Sequence, residues 1–280
     1  MPFLELFDET LDINATENYE LSVQVSNSEV SFCILDTLRN KFVMLRSYEP
    51  GEEGTFQMSQ IEAIIRMDDF LTRRFKKRNV IAFSPKTTLV PALLYDESKK
   101  KEYFIYNHPL SEKELILSNK VGNPDLYIVF SLQQEYVDVI NSSFPGTEIL
   151  HHTFPLICTI NHNRKPAVTN NIQVHIERDY LNILVSDQNS IRLCNTFNYR
   201  TITDIQYFVM YVLKRLNISQ DEIIIFSGKA QRKEDIVRGF SGYFKNIRFA
   251  LPTGNYTLSY VLNENELYKY YLIFSAVSCG

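Results

Sequence analysis

The sequence predicts an α/β chain of two similar halves, each running three strands, a helix, then strand–helix–strand–helix. Three observations carry this. Short apolar–polar alternations come in threes, at Tyr19–Ser26, Glu29–Asp36 and Lys41–Tyr48, and again at Ile172–Glu177, Tyr180–Ser186 and Ile191–Asn198. Such alternation is the pattern of strands joined by tight turns. Each trio is followed by an amphipathic helical repeat. A polar stretch ending in proline, Asn161–Pro166, separates the two sets and divides the chain into residues 1–165 and 166–280.

Taken in order, residues 1–17 read as an acidic tail or lead-in. Asn27-Ser28 and Arg39-Asn40 supply the turns of the first trio, and Pro50-Gly51 ends it. The spacing then predicts a helix over Ser59–Phe75, with Ile61, Ile64, Ile65, Phe70 and Leu71 near one face. Its end carries Arg73, Arg74, Lys76, Lys77 and Arg78. A basic last turn complements the carbonyl end of the helix dipole; a nucleic-acid patch would be expected to interleave an aromatic platform, and the single Phe75 does not make one. Residues 79–120 read as an insertion in the first half, with a strand at Val80–Phe83, a helix opened by Pro91 and running to Tyr106, and a strand at Leu115–Ser118. Asp125–Leu132 is almost continuously apolar, as in a strand buried on both faces. A helix over Gln133–Asn141, a strand over Thr147–Leu150 and a helix over Thr153–Ile160 complete the half.

In the second half, Thr203–Leu216 keeps a strong helical period with Thr203 as its N-cap. Glu222–Phe226 is a buried strand, Glu234–Phe244 a helix, Ile247–Leu251 a strand, and Glu266–Val277 a closing apolar helix. The repeat sets Asp125–Ile160 against Asp221–Val277, and Leu126–Ser131 against Glu222–Ser227. An in-line duplication of this kind gives two mixed sheets with a cleft between them, where ligands are favoured.

The bulk composition agrees. The chain has 280 residues and is 45% hydrophobic, enough for a core and, at roughly 150 residues each, for about two domains. The net charge of −4 is too mild to imply a nucleic-acid or membrane partner. It is uneven: residues 1–165 carry 17 basic and 23 acidic side chains, residues 166–280 carry 12 and 10. The four cysteines, Cys33, Cys158, Cys194 and Cys279, form no C-x-x-C pair, which argues against a disulfide framework. The acidic start lacks the pattern of a signal peptide, and no apolar run of about 18 residues exists. A cytoplasmic location is therefore expected.

A tandem of β-β-β-α-β-α-β-α units resembles the RNase H-like halves of the actin-like ATPase superfamily, which includes actin, sugar kinases, the Hsp70 ATPase domain and bacterial division and pilus ATPases. The chain as a whole looks like a bacterial family of unknown function assigned to that fold, and the resemblance covers nearly all of residues 18–280. It implies a nucleotide site between the halves, in which the first strand of each ends in Asp-x-Gly. The Asp would hold a metal-bound water, and the Gly would admit phosphate to the turn.

Here both turns depart from that pattern. The first reads Val23-Gln24-Val25-Ser26, with Gln24 for Asp and Ser26 for Gly; the second reads Val174-His175-Ile176-Glu177, with His175 for Asp and Glu177 for Gly. A glutamate facing phosphate would repel it, two like charges about 4 Å apart costing roughly 4 kcal/mol at an intermediate dielectric. The adenosine motif, a strand followed by Gly-Gly, survives only in part as Ser227-Gly228-Lys229, where Gly228 alone matches one of the two glycines; a strand-to-helix turn uses Gly in any case, and Lys229 is placed to meet an anion. The cleft positions of a degenerate site are thus Gln24, Ser26, His175, Glu177, Gly228 and Lys229. These departures predict a pseudo-ATPase, without catalytic residues or cofactor, ATP being the one the resemblance would bring.

Other constellations are weaker. Cys158 and His162 share a helix face near His151 and His152, but two ligands do not make a zinc site. Glu52-Glu53 and Asp68-Asp69 are adjacent acids, which do not face each other on a helix. Tyr256, Tyr260, Tyr268, Tyr270 and Tyr271 read as core with an exposed subset suited to contacts. Function by binding an unknown protein partner is the expectation. The alternative is nucleotide or small-molecule binding, ATPase- or kinase-like, in the interdomain cleft. Nucleic acid and membrane are not expected partners, and the sequence is silent on oligomeric state.

Overall fold

The computed structural model describes every residue except 52–53, 161–169, 188–189, 230–231, 253, 263 and 280. The boundary Asn161–Pro166, the Glu52-Glu53 pair and His162 lie outside the described residues.

In the first half, β1 (Leu4–Phe7), β2 (Tyr19–Ser26), β3 (Glu29–Asp36) and β4 (Lys41–Tyr48) precede α1 (Met58–Met67) and β5 (Lys77–Ala82). Then come β6 (Thr87–Pro91), α2 (Lys100–Asn107), β7 (Glu114–Val121) and β8 (Leu126–Gln133). α3 (Gln134–Ser143), β9 (Ile149–His151) and α4 (Thr153–Cys158) close the half. The second half runs β10 (Asn171–Ile176), β11 (Tyr180–Ser186), β12 (Ile191–Asn198), α5 (Ile202–Arg215) and β13 (Ile223–Ser227). α6 (Lys233–Phe240), β14 (Asn246–Phe249), β15 (Thr257–Leu258) and α7 (Tyr271–Ala276) follow.

The first sheet has the order β1-β4-β3-β2-β5-β9, with β15 beside β4; the second has β12-β11-β10-β13-β14. Without β1 and β15, the two orders are the same. In each, an antiparallel three-stranded meander is extended by two parallel strands, with α1 and α3 in the first half and α5 and α6 in the second lying in the crossovers. Every residue of β2 is buried, although Glu20, Ser22, Gln24 and Ser26 alternate with Leu21, Val23 and Val25. The polar row tolerates burial because its groups find partners, as where Asn79 Nδ2 donates to Glu20 (2.9 Å) and Ser22 (3.1 Å).

The last helices of the two halves meet at their join, and α4 keeps a contact with β7 of its own half. α4 packs on β11 of the second sheet, α7 packs on β2 and β3 of the first, and the helices also pack on each other. Thr159 Oγ1 and Tyr271 Oη lie 3.0 Å apart across that contact. Leu262, Leu267 and the segment Tyr270–Phe274 sit in the first core rather than with Val209, Phe226 and Phe240 in the second.

Several expectations are corrected. The N-terminal lead-in forms β1, and Asp8 behind it is buried, bonding Lys41 Nζ and Ser259 Oγ at 2.6 Å each. The first long helix ends at Met67 and not at Phe75, because Asp68 turns extended and its carboxylate accepts the Phe70 (2.8 Å) and Leu71 (3.0 Å) amides. Residues 73–78 are therefore the loop before β5 and its first strand residues, not a basic helical turn. The strand that matches Glu222–Phe226 is Lys77–Ala82, since β5 sits in the first sheet as β13 sits in the second. Asp125–Leu132 belongs to a separate three-stranded sheet, β6-β8-β7, and the insertion lies between β5 and α3 instead of over 79–120. Its apolar run is still buried on both faces: Ile128 and Phe130 enter the first core, and Val129 packs with Val90 and Phe104. Pro91 ends the edge strand β6 and leads only into a short 3-10 turn, Ala92–Leu94, the α-helix starting later at Lys100. The α5 N-cap is Thr201, two residues before the expected Thr203, with Asp204 completing a capping box.

Candidate functional site

The register of the two sheets superimposes their turns. Gln24 pairs with Ile81 in β5, and His175 pairs with Ser227 in β13. Ser26 then corresponds to Glu177, Glu29 to Tyr180, and Phe83 to Lys229. All these positions lie where the halves meet, and the side chains of the expected cleft residues are turned inward.

Gln24, Ser26, His175 and Glu177 are all buried. Ser26 Oγ donates to the Glu29 carbonyl at 3.1 Å, closing its own hairpin. His175 bridges Ser227 Oγ through Nδ1 (2.9 Å) and Glu177 Oε1 through Nε2 (2.8 Å). Glu177, the predicted obstacle to phosphate, is thus engaged by its own strand. Gly228 has φ +96°, and a Cβ there would stand 2.2 Å from the Ile176 carbonyl oxygen. Its amide donates to the Tyr268 carbonyl at 2.9 Å. The surviving glycine serves a close backbone crossing.

Lys229 crosses to the other half. Its Nζ lies 2.6 Å from Glu49 Oε1, 3.0 Å from Ser47 Oγ and 3.2 Å from Glu29 Oε1, and 4.4 Å from the centre of the Tyr270 ring. Burial alone would lower the ammonium's pKa, but Glu29, Tyr270 and Glu49 outweigh it and hold Lys229 protonated. Burial pushes the Glu29 carboxyl up; Lys229 opposes that shift and nearby Glu177 adds to it. The anion that Lys229 was expected to meet is a pair of carboxylates from the first half.

The matching loop of the first half crosses the other way. Phe83 stacks on His152 with centroids 4.9 Å apart and on His175 at 6.5 Å, and faces Tyr180 at 6.2 Å. His152 Nε2 lies 2.6 Å from Asn182 Oδ1, and neighbouring His151 binds the Ser84 carbonyl at 3.0 Å through its own Nε2. Both rings are fully buried, and burial holds both well below the ordinary histidine range. Nothing in the sequence marks Ser47, Glu49, Phe83, Tyr180 or Asn182 as site residues, since each reads as an ordinary strand or turn residue until the register is known.

These residues do not fit a magnesium nucleotide. Neither first strand offers a carboxylate at the Asp position, and the Gly228 amide is bonded within the chain. Glu29 and Glu177 already place two carboxylates close together. Among the described residues, no group of three or more His, Cys, Asp or Glu is arranged to hold a metal. An open depression lies elsewhere, between α1 and α3, lined by Glu62, Gln134, Asp138 and Ser142; none of these is an expected site residue. Among the described residues, no helix is long and apolar enough to cross a membrane.

Comparison with known proteins fits the architecture. A Bacteroides thetaiotaomicron protein with an actin-like ATPase fold and unknown function matches with a TM-score of 0.77 at 19% identity, over 86% of this chain and 94% of that one. The PilM–PilN type IV pilus biogenesis complex matches with a TM-score of 0.50 at 10% identity, over 93% and 97%. These likenesses show an actin-like ATPase fold. No curated protein matches the sequence. A family described as proteins of unknown function (DUF3822) matches residues 8–247.

Proposed function

The chain belongs to the DUF3822 family, and on that footing we propose that it is a non-catalytic actin-like protein that works by binding a protein partner in a bacterial cytoplasm. The observation that carries this is the Lys229 ammonium held by Glu29 and Glu49 across the two halves. At the turns where a nucleotide would bridge the halves of an ATPase of this fold, the chain bridges them with its own side chains. The PilM–PilN complex lends a precedent for an actin-like protein bound to a partner. The matching strand orders of the two sheets support reading residues 1–165 and 166–280 as duplicated units.

The test is thermal unfolding with a panel of magnesium nucleotides and sugars. A ligand at 100 times its Kd adds about 2.7 kcal/mol, so true binding is visible; the expected outcome is no change. Saturable, magnesium-dependent ATP hydrolysis that is lost in Glu177→Ala would overturn the proposal in favour of an ATPase- or kinase-like reading.

A further inference from the structure

Two loops meet at one end of the first sheet. The Lys76 amide donates to the Tyr19 carbonyl at 3.0 Å, and Lys76 Nζ reaches Thr37 Oγ1 at 3.2 Å in the turn between β3 and β4. This joins the loop that carries Arg73, Arg74, Lys76 and Lys77 to the turn that carries Leu38 and Arg39, all of these residues being exposed.

The corner is poorly compensated. Elsewhere the chain pairs its cations tightly, as in Lys41–Asp8 at 2.6 Å, Arg46–Asp68 at 2.8 Å and Lys86–Glu114 at 2.9 Å. Here the carboxylates stand off, Lys77–Glu20 at 3.4 Å and Arg39–Asp36 at 3.7 Å. Arg73 Nε donates to the Asp69 carbonyl at 3.2 Å, and Arg78 donates to the Arg73 carbonyl. Both are backbone acceptors that leave the positive charge unbalanced. Among the described residues, the buried Arg78 Nε has no hydrogen-bond partner, and burial together with Arg74 lowers the pKa of its guanidinium.

We propose that this corner, Arg39, Arg73, Arg74, Lys76 and Lys77 with Leu38, docks an acidic segment of a protein partner. Clustered cations short of counter-charge attract an anionic chain and set its orientation. Leu38, next to Thr37 in the turn that Lys76 reaches, is 76% exposed and offers one apolar anchor. A nucleic-acid strand is a poorer occupant, because Tyr19 is buried and Phe75 half-buried, leaving no aromatic platform for bases. A membrane is poorer still, because one leucine on a turn is not an amphipathic helix. The proposal stands apart from the cleft, and a nucleotide bound there would leave it untouched.

The test compares three probes on the whole protein: a synthetic Glu/Leu peptide, single-stranded DNA of similar length, and phosphatidylserine vesicles. The peptide is expected to bind, to weaken steeply with added salt, and to lose at least about tenfold in affinity in Arg73→Gln/Arg74→Gln/Lys76→Gln. The melting temperature of that variant should match wild type, since these side chains are exposed. Lys99→Gln/Lys101→Gln, which removes as exposed a basic pair from α2 and the turn before it, should bind as wild type does. Absent peptide binding, equal loss in both variants, or tighter binding of DNA or vesicles at the same corner would each overturn the proposal.

Discussion

Lys229 Nζ stands 3.2 Å from Glu29 Oε1 across the join between the two halves. The equivalent residues of the opposite loop and hairpin, Phe83 and Tyr180, face each other with ring centroids 6.2 Å apart. One contact is therefore built twice, as an ion pair on one side and an aromatic pair on the other. The ionic copy depends on its cation, because Glu29 is buried beside Glu177.

That dependence predicts a large effect from one substitution. Lys229→Met leaves Glu29 and Glu177 facing each other without a cation, and breaking a buried pair from one side costs about 3–5 kcal/mol. Adding Glu29→Gln should return much of that loss, because the remaining amide needs no counter-charge. Urea unfolding of the two single variants and the double measures the coupling. Simple additivity would show that the pair contributes nothing as a pair.

Much of the fold was legible because the strand trios keep a clean period of two and α5 a clean period of 3.6. The pattern became ambiguous where burial is two-sided. The apolar run of β8 resembles a central strand, yet it lies in a side sheet sandwiched between the first core and Phe104. The short β5, with Lys77 and Arg78 at its start, reads as less central than it is. The helix expected to Phe75 ended early on a single side-chain cap at Asp68, a contact that a hydrophobic period does not register. The site was half legible. Lys229 was marked as anion-seeking, but its carboxylate partner Glu29 lies 200 residues earlier in the chain, and only the packing of the two sheets brings them together.

Acid should weaken the protein through the two buried histidines. Burial holds His151 at about 3 and lowers His152 well below its ordinary value. As pH falls below about 6.5 the unfolded chain takes up protons that the folded chain refuses. Their contribution is thus fully present above that pH and is lost on descent toward 3. The loss approaches about 1.4 kcal/mol per histidine per pH unit. Glu29 works in the opposite sense, since its raised carboxyl gains its proton first in the folded state, but one such group only partly offsets two. Urea unfolding free energies between pH 7 and 5 check this, and a flat profile would contradict it.

Gly228→Ala should be severe. The new methyl would stand 2.2 Å from the Ile176 carbonyl oxygen, against backbone atoms of Ile176 that cannot yield, at φ +96°. Left-handed strain alone costs about 1–3 kcal/mol, and the clash adds to it. Gly51→Ala meets nothing within 4 Å and should change stability by no more than about 0.5 kcal/mol. Thermal melts of the two variants side by side separate a packing requirement from a general intolerance of losing glycine.

Asp68 gathers more partners than its place after a helix suggests. Its carboxylate receives Arg46 Nη1 at 2.8 Å and Tyr48 Oη at 2.6 Å, besides the Phe70 and Leu71 amides. Asp68→Ala removes all four acceptor contacts and leaves Arg46 with Glu5 and the exposed Asp69. A loss of about 3 kcal/mol is expected, the scale for breaking a buried charged pair from one side. Asp68→Asn keeps Oδ1 for the turn amides and loses the charge and the Oδ2 acceptor that Arg46 and Tyr48 share, so it gives up fewer contacts and should cost less. The difference is readable in the loop that Asp68 starts: hydrogen exchange at Phe70 and Leu71 should quicken in the alanine variant and hold in the asparagine one. Equal exchange in both variants would mean that Arg46, and not the cap, holds this turn.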